Sequence, residues 1–133
     1  MASGMYALGR EGFLGGDIDW DANNIKVTLI DSADYVVNLS THDFYNDVTA
    51  LGRVATSGNL ASKTKTNGTA DAADVTFTAV TGDQSEALVV WADTTVESTS
   101  RLIVYIDTGT GFPVTPNGGD ITVQWDAAGI FTL

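Results

Sequence analysis

The spacing of apolar positions along the chain changes once, from helical to alternating, at Ile25. Before that point Met5, Leu8, Phe13 and Leu14 fall near helical spacing, with Arg10 and Glu11 on other sides, which predicts a short helix over Met5–Leu14 that ends at Gly15, Gly16 and Asp17. Gly9 and Gly12 oppose it, since each glycine costs about 1 kcal/mol relative to alanine in a helix interior. In IKVTLID, Ile25, Val27 and Leu29 alternate with Lys26, Thr28 and Ile30, the pattern of a half-buried strand.

The following stretch, SADYVVNLSTHDFYNDV, is less regular. It predicts a strand over Tyr35–Leu39 and a single turn holding Phe44, Tyr45 and Val48, capped by Ser40 or Thr41. Val54–Thr56, Leu60 and Lys63–Thr66 read as strands, and Asn67-Gly68 as a hairpin turn because both residues tolerate positive φ. Val75, Phe77 and Ala79 alternate with threonines, and clearer strands follow at Ala87–Ala92, Leu102–Asp107, Ile121–Trp125 and Ile130–Leu133.

Pro113 and Pro116 precede the Asn117-Gly118-Gly119 turn, and a residue without an N–H to donate places that approach in a loop or at a sheet edge. Ile121, Val123 and Trp125 share one face, and a last hairpin through Ala127–Gly129 is expected to return Ile130, Phe131 and Leu133 against Trp125. Many short strands in this order predict a mainly β fold, an antiparallel β-sandwich or Greek-key barrel with a short N-terminal helix. The whole chain, 1–133, reads as one β-rich domain, with 1–16 as its helical segment and a possible interface arm.

Charge and composition narrow the partners. Six Lys and Arg against 17 Asp and Glu give a net charge of −11. No basic footprint is available to neutralise phosphates, so nucleic acid is not an expected partner. Apolar runs such as Ala87–Ala92 and Leu102–Ile106 are far shorter than the roughly 20 residues a membrane span needs, so no membrane association is expected. The opening MASGMYALGREGF has no apolar core followed by a small-residue cleavage site, so no secretory leader is expected. Without cysteine there is no disulfide, thiolate metal site or thiol nucleophile.

Candidate chemistry is sparse. In DIDWDANNIKVT, Asp17, Asp19 and Asp21 match the first calcium-loop positions, but Ala22 stands where the loop needs Gly and Thr28 where it needs Glu. His42, the one histidine, has Ser40 and Asp43 nearby, yet no serine lies in a Gly-x-Ser-x-Gly elbow. The pairs Asp71 with Asp74 and Asp83 with Glu86 sit in polar turns, where a glycosidase would need one carboxyl buried across a cleft. No catalytic, metal or cofactor residue is therefore assigned, and no enzyme activity or cofactor is expected. Trp20, Trp91 and Trp125, with the tyrosines, read mainly as core, with an exposed sugar-stacking platform as the alternative.

Asp17–Leu39, Ala73–Thr94 and Arg101–Asp126 carry a resemblance. With their order IKV.LID, VTF..V.GD..EALV and PVTPNGGDITVQW, they resemble small structural proteins of the virion modules of tailed bacteriophages and prophages. The resemblance spans nearly the whole chain and consists of shape motifs without an active-site signature. It implies a capsid decoration or cement protein that binds the major capsid protein on the capsid exterior, as a homo-oligomer, dimer or trimer, after assembly in the host cytoplasm. A tail, neck or connector component and a carbohydrate-binding module of an adhesin are the alternatives. Within the segment Ala2–Leu14, Met5, Tyr6, Phe13 and Leu14 are the candidate interface residues, with a helix covering the chain's own core as the competing role.

Overall fold

The computed structural model describes residues 3–108 and 111–133; Met1 and Ala2 of the N-terminal segment, and Gly109 and Thr110 beyond the seventh strand, lie outside the described residues. Along the chain run β1 (Gly4–Met5), α1 (Ala7–Gly15), β2 (Asn24–Ile30), β3 (Arg53–Thr56), β4 (Thr69–Ala70), β5 (Val75–Phe77), β6 (Ala87–Asp93), β7 (Leu102–Ile106), β8 (Ile121–Val123) and β9 (Phe131–Thr132). The fold is mainly β and antiparallel with one helix near the N-terminus, as the alternation predicts. Five strands form the main sheet in the order β1-β7-β6-β2-β3, while β4-β9 and β5-β8 form separate two-stranded ribbons.

The sheet is apolar on both faces because its central strands are. Ile25, Val27 and Leu29 of β2 pair with Ala92, Val90 and Leu88 of β6, and all six side chains join one core cluster. Ile30, Ala87, Val89 and Trp91 point the other way into a second cluster. A register shift between β6 and β7 after Val90 sends Ile103 and Val104 to the first cluster and Leu102 and Tyr105 to the second. The half-buried reading of β2 is therefore corrected: Thr28 and Ile30 are also fully buried. Alternation revealed the period of this strand, and the covering of its polar-looking face comes from residues distant in sequence.

That covering layer is the segment between β2 and β3. Tyr35–Leu39 forms no strand; the Asp34 and Tyr35 N–H groups bond to the Asp31 carbonyl in a turn that drives Tyr35 into the second cluster. The turn at Tyr45 is present as a 3₁₀ helix, Tyr45–Asp47. Its cap is the Asp47 carboxylate, which accepts from the Asp43 and Phe44 N–H groups, while the Ser40 and Thr41 N–H groups bond to the Asn38 side chain.

The ribbons β4-β9 and β5-β8 cover the first cluster through Ala70, Val75 and Phe77, with Ile121, Val123 and Phe131 packed beside them. The expected hairpin between the last two strands is not formed, since β8 pairs with β5 and β9 with β4. Lys63–Thr66 is not a strand, although Thr64 bridges Asp71 around the Asn67-Gly68 turn, whose φ values of 54° and 77° match the prediction. The segment between Pro113 and Gly119 is a loop, tied to the rest by the Val114–Ser85 bridge.

Helix α1 begins at Ala7, because Gly4–Met5 pairs with β7 as an edge strand. It packs through its glycines. A Cβ on Gly9 would lie 2.6 Å from the Leu102 carbonyl oxygen, and one on Gly12 would lie 2.7 Å from Ile18 Cδ1. Of the two residues that weaken the helix in isolation, Gly9 thus lets it approach the sheet and Gly12 lets Ile18 pack against it. Gly16 closes it at φ 80°, with the Asp17 N–H bonded to the Gly12 carbonyl at 2.8 Å.

Candidate functional site

Because β8 and β9 do not pair, a groove of about 960 Å³ opens between the two ribbons and the β1 edge of the sheet. Leu88 and Val104, both buried, form its floor, and Met5, Ile121, Trp125 and Phe131 form its walls. The hairpin expected to return Ile130, Phe131 and Leu133 against Trp125 is the one that does not form. Ile121, Val123 and Trp125 do share one face, but they are only half-buried. Trp125 is held by its indole N–H donating to the Ala73 carbonyl at 3.1 Å and its backbone N–H donating to Asp74 at 3.2 Å.

The charged side chains lining the groove are Asp120 and Asp126. Each is oriented by a backbone N–H: Asp120 Oδ1 accepts from Ala79, distant in sequence, at 2.9 Å, and Asp126 Oδ1 from Ala128 in its own turn at 2.8 Å. Beyond Phe112 lies a smaller hollow of about 400 Å³ with Glu86 and Asp107 in its lining, so this side of the molecule is acidic as well as apolar. Burial, with Asp107 adding to it, pushes the Tyr105 hydroxyl on that hollow up to about 12.

Five of the six cations are engaged away from the groove, and the sixth, Arg10, bonds to groove-lining Met5. Lys26 pairs with Asp93 at 2.7 Å, Arg53 with Glu97 at 2.9 Å, Arg101 with Asp17 at 3.2 Å and Lys65 with Asp21. Lys63 donates to the Asn23 carbonyl at 2.6 Å, and Arg10 to the Met5 carbonyl at 3.4 Å. Among the described residues the groove acids therefore face solvent without a Lys or Arg salt-bridge partner.

The opposite face of the sheet is closed by stacking and hydrogen bonding. The Arg53 guanidinium lies 4.0 Å from the Tyr45 ring centroid, and Tyr45 stacks on Trp91 at 3.8 Å with 9° between the planes. The Trp91 indole N–H donates to Thr28 Oγ1 at 3.0 Å, and the Thr28 and Tyr45 hydroxyls are 2.9 Å apart. A second chain joins the Tyr6 and Tyr35 hydroxyls at 2.9 Å and Tyr35 to His42 Nδ1 at 2.8 Å. Burial raises the Tyr6 hydroxyl far above its ordinary value and Tyr35 to about 12. His42 also accepts from the Asn38 N–H and stacks on Tyr35, so its ring is committed to this face.

The remaining predicted positions are dispersed. Tyr6 is fully buried and offers no surface to a partner, Met5 lines the groove, Phe13 packs on Phe131 at 5.7 Å, and Leu14 is 88% exposed. Asp17 and Asp21 form ion pairs, while Asp19 accepts from the Asp21 and Ala22 N–H groups within the turn. Asp71 bonds to the Ala72 N–H, and Glu86 to Ser32. Trp20 and Trp91 are buried, leaving Trp125 as the accessible tryptophan.

Asp31 and Asp34, in the turn after β2, and Asp83, ahead of β6, bring carboxylate oxygens within 4.8 Å of one another. Partial desolvation and the adjoining Asp31 raise the Asp34 carboxyl above its ordinary value. No sequence motif announces this cluster, because the β2–β6 register assembles it. No protein-family model and no curated relative matches the sequence.

Proposed function

We propose that this protein is a non-enzymatic structural protein of a tailed-bacteriophage or prophage virion, a capsid decoration protein that binds the major capsid protein on the outer shell as a dimer or trimer. The observation that carries the proposal is the groove: about 960 Å³ of open, largely apolar surface with only two acidic side chains among its charged lining. Such a surface suits contact with another macromolecule. A modest contact is sufficient on a shell, because a lattice of repeated sites supplies multivalency. The resemblance of the segments that build β2, β6 and β7 to virion proteins supplies the kind of partner.

Cryo-electron microscopy of particles carrying the protein tests this reading. Density in many symmetry-related copies on the outer shell is expected; density confined to tail or neck, or none on the particle, would overturn it. One observation favours a second reading, a carbohydrate-binding module: Trp125 stands half-exposed on the groove wall. Quenching of its fluorescence by a sugar panel would support that alternative.

A further inference from the structure

The groove also specifies the chemistry of what enters it. β8 has β5 as its strand neighbour on one side, and among the described residues no strand pairs with its other edge. β9 is likewise paired only with β4, so both walls of the groove include an unpaired strand edge. Unpaired edges are templates for an added strand. The apolar floor of Leu88 and Val104 would receive every second side chain of such a strand.

Charge selects among possible strands. Asp120 and Asp126 line the groove and Glu86 and Asp107 line the adjoining hollow, while five of the chain's six cations are engaged elsewhere and Arg10, which donates to the carbonyl of groove-lining Met5, forms no ion pair with these acids among the described residues. As occupant of this acidic groove a second copy of this chain, itself of net charge −11, is disfavoured by like charge across the contact, which leaves the dimer or trimer contact to another surface. We infer that the groove receives an extended segment of a partner protein, alternating apolar and basic residues, added as a strand along the free edge of β8. This deepens the virion reading by naming the contact.

Short blocked peptides on the full-length protein test it without any particle, so the location on a virion and the chemistry of the groove stand or fall separately. Three probes are titrated at low salt into isotope-labelled protein: alternating valine and lysine, alternating valine and glutamate, and the valine–lysine peptide with alternate backbone nitrogens methylated. The valine–lysine peptide is expected to shift the β8 amides and the Trp125 indole and to bind at least about ten-fold more tightly than the glutamate peptide. Its affinity should fall as salt rises. Asp120→Asn combined with Asp126→Asn keeps both side-chain acceptors and should remove most of that preference.

Equal affinity for the two charge types would overturn the inference. So would shifts mapped away from β8, or no shifts at millimolar peptide. Equal binding of the methylated peptide would overturn the strand pairing, and dilution-dependent shifts of the same amides without peptide would assign the groove to a second copy.

Discussion

The two faces of the main sheet bury similar aliphatic side chains and are closed in different ways. On one face a single continuous segment, between β2 and β3, lays Tyr35, Tyr45 and Val48 onto Trp91 and Val89, and its Tyr35 and Tyr45 hydroxyls are tied to those of Tyr6 and Thr28. On the other, two short ribbons from distant parts of the chain meet without pairing, and a groove reaches Leu88 and Val104. The difference teaches where strength and accessibility reside: aromatic stacking and shared hydrogen bonds seal the first face, and unpaired strand ends leave the second open to a partner.

The largest expected effect comes from the centre of the sealed face. Trp91→Ala removes the Tyr45 stack and leaves Thr28 without its indole donor, so it should cost about 3–5 kcal/mol in urea unfolding. Trp125→Ala on the groove should cost about 1 kcal/mol, the order of its hydrogen bond to Ala73. Equal costs would remove the distinction between the faces.

Next is the helix contact. Gly9→Ala should destabilise by about 1–3 kcal/mol, because its Cβ meets backbone atoms of Leu102 and Ile103. Helix propensity alone predicts the opposite sign, a gain of about 1 kcal/mol. Gly15→Ala, whose Cβ would meet the Asp17 carboxylate at 3.3 Å, is the control and should be neutral to slightly stabilising. Thermal melts of the two variants decide between contact and propensity.

The buried tyrosines sharpen the comparison through pH. Burial raises Tyr35 to about 12 and Tyr6 in the same direction, so both stay neutral in the folded chain while an unfolded tyrosine ionises near 10. Their contribution is fully present below about pH 10 and is lost as pH rises toward 12. Tyr35→Phe should flatten this alkaline loss in stability measured against pH, with tyrosinate absorbance following the transition.

The smallest effect belongs to the partly buried pair Lys26–Asp93. The Lys26 hydrogen bond holds Asp93 below its ordinary value, so the pair's stabilisation is present above about pH 4 and is lost as pH falls through the folded-state value. Lys26→Gln should cost under about 1 kcal/mol at neutral pH and less in acid, as read by urea midpoints.

Strands with strong alternation or unbroken apolar runs were legible in the sequence. LVVWAD and LIVYID became β6 and β7, and the Asn67-Gly68 turn has the predicted positive φ values. What local pattern did not carry is which strand pairs with which. Ile121–Val123 and Phe131–Thr132 were placed together by their proximity in sequence, whereas each found its partner more than forty residues upstream, in β5 and β4. The groove was illegible for the same reason, since it exists only because that hairpin fails to form. Met5, a candidate interface residue, and Trp125, a candidate stacking platform, line one groove because β1 joins the sheet edge. Gly9 and Gly12 oppose the helix in local propensity, and only tertiary contacts, Gly9 with β7 and Gly12 with Ile18 and Arg101, supply a reason for them.

Residue-resolved amide hydrogen exchange on the isolated protein tests the central contrast most directly. Amides of β2 and β6 should exchange only through global unfolding, while those of β8 and β9 should exchange through local opening at much lower free energy. Uniform protection across all four strands would contradict the account, because it would show the groove face to be as firmly closed as the aromatic one.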